Sequence, residues 1–120
     1  MVKYLLLLGL FTTGSALATT ASCNGKVRNN SLFFFARGSV LRMSNGSGLV
    51  KINNRIVAEF EGAHAKVNYF TRTFSIRNNR GDVVEGKLNN VRTGASTLTR
   101  MELPGEGIRL SNVPVKCSLD

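Results

Sequence analysis

Val50-Lys51-Ile52-Asn53-Asn54-Arg55-Ile56-Val57-Ala58-Glu59-Phe60-Glu61-Gly62 decides the fold class. Val50, Ile52, Ile56, Ala58 and Phe60 share one face of an extended chain, with Asn54 among them. Lys51, Asn53, Arg55, Glu59 and Glu61 share the other. A period of two over this length predicts a half-buried strand, bent at Asn53-Asn54 and ended by Gly62. The flanking segments carry the same signature. Leu32 to Ala36 is a short apolar, aromatic run, and Val40 to Met43 continues it beyond Gly38. Ser44-Asn45-Gly46-Ser47-Gly48 has the composition of a turn. Asn45-Gly46-Ser47 also fits a glycosylation acceptor, but turn chemistry explains it more simply.

Downstream, Lys66 to Arg77 alternates again, with Phe70, Phe74 and Ile76 on one face. Asn78 to Asp82 reads as a turn. Val83 to Val91 and Thr97 to Leu103 read as strands, the second stopped by Pro104-Gly105. Ile108 to Cys117 holds a last short strand, where Pro114 favours an edge position. No stretch shows helical periodicity with caps. Recurrent turns between short strands predict an all-β domain: a single antiparallel sandwich or curled barrel.

The N-terminus has a different character. Lys3 precedes the apolar run Leu5 to Phe11, and Ala16-Leu17-Ala18 supplies small residues at a cleavage site. This is the anatomy of a secretory signal peptide spanning 1-18, which leaves 19-120 as one secreted β domain. Two alternatives stay open: retention of the segment as an anchor, and lipidation at Cys23. No later segment approaches the roughly 20 apolar residues of a membrane span, so no transmembrane helix is expected after signal removal. The only other cysteine is Cys117, near the C-terminus. An even cysteine count in an exported chain predicts a Cys23–Cys117 disulfide joining the two ends of the domain. Export by this route implies a periplasmic or secreted bacterial protein.

Sixteen Lys and Arg stand against seven Asp and Glu, a net charge of +9. The basic residues are spread along the chain without a dense run. Such a surface favours acidic proteins, lipid headgroups or other anions. No nucleic-acid recognition motif occurs, and no nucleic-acid partner is expected. His64 is the only histidine, so neither a histidine-rich metal site nor a histidine relay can be assembled. Glu59 and Glu61 would lie about 7 Å apart on a strand, a spacing seen in glycoside hydrolysis. Adjacent carboxylates on an exposed strand are more simply solvated or paired with Arg. No phosphate loop or nucleophile elbow is present. The expectation is a non-enzymatic protein with no cofactor.

Arg72 falls by parity on the apolar face of Phe70, Phe74 and Ile76. It is therefore expected either in a buried ion pair with Glu59 or Glu85, or facing an anionic ligand in a barrel mouth. Phe33, Phe34 and Phe35 cannot all face one way. Phe33, Phe35 and Arg37 thus form a candidate interaction patch.

Gly46 to Ile52, then Val67-Asn68-Tyr69-Phe70-Thr71-Arg72-Thr73-Phe74, then Leu103-Pro104-Gly105, follow an early cysteine and an apolar leader. This outline resembles the small FidL-like envelope proteins of enterobacteria. That resemblance implies an accessory protein that acts on the periplasmic sensor domain of a membrane-bound regulator, and it supplies no catalytic residues. Such proteins often keep the leader as an anchor, whereas Ala16-Leu17-Ala18 favours cleavage. Two functions of different class follow. One is an envelope interaction protein with a protein partner. The other is a basic binding module or inhibitor acting on an anionic ligand or acidic enzyme.

Overall fold

A computed structural model describes residues 18–40 and 43–120. Among the described residues eight strands follow in order: β1 (Ala18–Val27), β2 (Asn30–Ser39), β3 (Ser44–Ile52), β4 (Arg55–Asn68), β5 (Thr73–Arg77), β6 (Val83–Leu88), β7 (Ala95–Leu103) and β8 (Ile108–Leu119). A short 3-10 turn, Pro104–Glu106, joins the last two. Each strand pairs antiparallel with its neighbour in the chain, and β8 returns to β1. The fold is a closed antiparallel barrel, the curled form of the expected all-β domain.

Period-two side chains turn one row of each strand inward. Leu32, Phe34 and Ala36 of β2 meet Phe60, Ala65 and Val67 of β4, Phe74 and Ile76 of β5, and Leu98, Met101 and Leu103 of β7. The Phe34 and Phe74 rings pack with centroids 5.8 Å apart. Each such fully buried large side chain contributes about 1.5–3 kcal/mol. The outward rows carry Lys26, Lys51, Glu85, Arg100 and Lys116. An apolar interior with a charged exterior reverses the polarity of an outer-membrane barrel, whose apolar band lies outside. Among the described residues, no helix is long and apolar enough to cross a membrane.

Two expectations about local structure are corrected. Val50 to Phe60 is not one bent strand. Asn53 and Asn54 have φ of 53° and 66°, and Ile52 pairs with Arg55 across them. Positive φ at both central residues makes this a tight hairpin turn, for which Asn is suited. The Asn53 side chain also accepts a hydrogen bond from the Ser31 amide at 2.9 Å, tying this hairpin to the β1–β2 hairpin. A register shift between Val50 and Lys51 then sets Ile56 opposite Lys51 on the outside, where it is 47% exposed. Nor does Gly62 end the strand. It takes φ 59° at a second register shift, and β4 runs on to Asn68.

The second correction concerns Ser44 to Gly48, which form strand β3 rather than a turn. Their glycines serve close packing. A Cβ on Gly46 would strike the Arg37 carbonyl oxygen and the Ala65 side chain. A Cβ on Gly38 would lie 2.7 Å from the Ala65 carbonyl carbon. Small residues let β2 approach β4 closely enough for a parallel bridge, Ser39 to Lys66.

The ends of the domain meet in the β1–β8 ladder. Cys23 and Cys117 are direct partners there and are joined by a disulfide, 94 residues apart in the chain. Both lie inside the barrel. In the loop-entropy picture a closure of this length contributes at most about 4.7 kcal/mol. Thr20 and Asp120 exchange backbone hydrogen bonds of 2.9 and 3.0 Å that extend this ladder beyond Ala21 and Leu119. With its sulfur bonded and buried, Cys23 offers no thiol for lipidation in this fold. The segment 1-18 read as a signal peptide lies outside the described residues, except for Ala18, which opens β1.

Candidate functional site: a lysine-lined groove around Phe33

Alternation along β2 separates the three successive phenylalanines. Phe34 is fully buried, while Phe33, Phe35 and Arg37 point outward. Phe33 is 37% exposed and Phe35 is half-buried. The candidate patch therefore lies along one outward row, with Arg37 hydrogen-bonded to the Thr20 hydroxyl at 3.3 Å.

The neighbouring strands surround Phe33 with positive charge. Its register partners are Asn24 on β1 and Lys51 on β3. Asn24 in turn pairs with Lys116 on β8. Lys26 follows Asn24 on the same outward face of β1. Barrel closure thus brings Lys26, Lys51 and Lys116 around one aromatic ring. They line a groove of about 650 Å³ whose floor includes Phe33, Pro114 and Val115. No carboxylate lines it. Gly25 also lines the groove, and a Cβ there would sit 2.9 Å from a Val115 methyl.

Elsewhere on the barrel, three of the acids, Asp82, Glu85 and Glu102, lie in ion pairs with arginines. Glu85 and Arg100 are cross-strand partners on β6 and β7, with a 4.0 Å contact. Arg100 also donates from Nε to Glu102 at 3.2 Å, and Arg109 of β8 approaches the same carboxylate at 3.8 Å. Arg100's hydrogen bond holds the Glu102 carboxyl below the usual carboxylate range; partial desolvation opposes this, and the charges of Arg100 and Arg109 add to it. The Arg100 guanidinium is pushed up, chiefly by the same hydrogen bond. Among the described residues, none of the ion pairs includes Lys26, Lys51 or Lys116. The positive charge of these three lysines is therefore not offset by an ion-pair partner among the described residues.

Arg72 requires a correction. It is not on a buried face. Tyr69 to Arg72 form the β4–β5 turn, and Arg72 sits there exposed with φ 62°. The turn interrupts the strand, so parity counted from Phe70 does not carry across, and Phe70 itself is 67% exposed. Neither Glu59 nor Glu85 is its partner: Glu85 meets Arg100 and accepts from the Ser75 hydroxyl at 3.4 Å, while Glu59 is exposed on β4. The Arg72 contribution is its backbone carbonyl, which accepts from the Leu88 amide at 2.8 Å. His64 is exposed within β4 opposite Asn45 and Arg77.

Reading the sequence alone misses the three lysines as a set. They are distant in the chain and meet only through closure of β8 onto β1. Among the described residues, no group of three His, Cys, Asp or Glu side chains is placed to hold a metal ion. The arrangement offers charge and an aromatic surface, which is the chemistry of recognition. No family model, curated protein or solved structure matches this chain, so the FidL-like resemblance is neither supported nor opposed by such comparisons.

Proposed function

We propose that this protein is a non-enzymatic envelope binding protein that docks an acidic segment of a protein partner in the groove around Phe33. One observation carries the reading: Lys26, Lys51 and Lys116 converge on an exposed aromatic ring with no carboxylate among the groove-lining residues. Aromatic anchors ringed by complementary charge are the usual form of a binding hot spot. The strands beneath the groove are paired on both sides over Asn24 and Phe33. A partner must therefore engage side chains there rather than add a strand. A buried disulfide suits an oxidising compartment, and the bacterial periplasm is the location proposed. The FidL-like outline names a class of partner, the sensor domain of a membrane-bound regulator.

A second reading places a free anionic small molecule in the same groove. The groove volume favours it, since about 300–1,000 Å³ is the range of small-molecule sites. A photo-crosslinker at position 33, activated in intact cells, separates the two. A discrete protein adduct that is lost in Lys51→Glu supports the first reading. Absence of any protein adduct, with saturable binding of small polyanions by the purified protein, supports the second.

A further inference from the structure

The β1–β8 ladder stops at Gly25 and Val115. β1 nevertheless continues to Val27, and β8 begins as early as Ile108. The two strands therefore part at one end of the barrel. Val27, Ile52, Ile108 and Leu110 stand in this opening, partly buried against the core. They surround a cavity of about 420 Å³, separate from the Phe33 groove except for Ser31 and Leu32, which border both. Arg28 and Arg109 line the cavity, and no carboxylate does.

Arg28 occupies the β1–β2 turn beside the cavity, with the positive φ of 60° that the turn imposes. Arg28 joins none of the ion pairs among the described residues. Arg109 touches Glu102 at 3.8 Å, but its side chain is 84% exposed. Such a surface pair is weak enough to yield to a better anion.

We propose that this opening binds a single-chain amphiphile with an anionic head. The chain would lie among the four aliphatic residues, and the head would meet the Arg28 and Arg109 guanidinium groups. The shared chemistry of a fatty carboxylate and a lipid phosphate satisfies both halves of the site.

The test is calorimetric titration of the oxidised protein with dodecanoate, dodecyl phosphate, dodecanol and acetate, each below any micelle concentration. One saturable site for the two anionic chains is expected, with acetate silent. A preference between carboxylate and phosphate assigns the head group and supports the site. Arg28→Asn with Arg109→Gln should weaken both anionic chains about tenfold or more, the scale of lost charge-assisted hydrogen bonds, and leave dodecanol unchanged. Asn tolerates the left-handed turn, so this variant should unfold at the wild-type midpoint. Leu110→Ala should weaken every chain-bearing ligand. Charge reversal at Lys26 and Lys51 should leave dodecanoate binding intact, which separates this site from the groove. Absence of saturable dodecanoate binding overturns the proposal, as does unchanged affinity in the double arginine variant. Binding to phosphatidylglycerol vesicles without binding to dodecanoate also overturns it, in favour of docking on a membrane surface.

Discussion

Phe33 and Lys51 are register partners across the β2–β3 ladder, and both point out of the barrel into one groove. Phe33 is 37% exposed and packs less completely than an interior ring. Phe33→Ala should therefore cost only about 1 kcal/mol in stability. Partner affinity should fall by about 2 kcal/mol or more, the scale of an interface hot spot. Denaturant unfolding and titration with the captured partner check the two halves. By contrast, Phe34→Ala should cost about 3–5 kcal/mol in stability, because Phe34 fills the interior.

The disulfide stabilises the closure from which the groove is made. Cys23→Ala with Cys117→Ala should destabilise the domain by about 2–5 kcal/mol. Urea unfolding with and without reductant tests this. Reductant should shift the wild type toward the variant and leave the variant unmoved.

Gly38→Ala should be strongly destabilising despite its small size. The added Cβ would lie 2.7–2.8 Å from the Ala65 backbone and side chain, where no flexible group can move away. Overpacking of this kind costs about 1–3 kcal/mol. Thermal unfolding of Gly38→Ala against Gly105→Ala, where nothing lies within 4 Å, isolates the effect.

The Arg100–Glu102 pair gives a small pH dependence. The folded state holds the Glu102 carboxyl below its unfolded value. Its contribution is complete above the unfolded carboxylate range and is lost as pH falls through the lowered folded value. The stability difference between wild type and Glu102→Gln should be largest near neutral pH and vanish in acid. It should also shrink in about 1 M salt, where the Debye length is about 3 Å. Melting curves across the acidic range measure both.

Much of the architecture is legible in the sequence. Cys23 and Cys117 mark the closing strands, and turn residues between short alternating runs mark an all-β domain. The outward row of Phe33, Phe35 and Arg37 follows from period two alone. Other features are concealed by the same regularity. Asn53-Asn54 keeps hydrophobic parity through a complete reversal, so a hairpin reads as a bend. Gly46 and Gly48 have turn composition but answer to close strand packing. The first strand, Ala18–Val27, hides behind the leader and its Thr, Ser and Asn content. Strand parity puts Arg72 beside Phe70 and Phe74 only in an unbroken strand, and the turn Tyr69 to Arg72 breaks it. The groove is invisible because its lysines come from β1, β3 and β8, which only closure brings together.

The most direct test concerns charge at the groove. The partner captured at position 33 should be purified and its affinity measured at low and high salt for wild type, Lys26→Glu/Lys51→Glu and Arg72→Ala. The account predicts steep salt dependence for wild type, and a loss of about tenfold or more, the equivalent of 1.4 kcal/mol, for the lysine variant. Arg72→Ala should match wild type. Affinity that is indifferent to salt and to both lysines would contradict it.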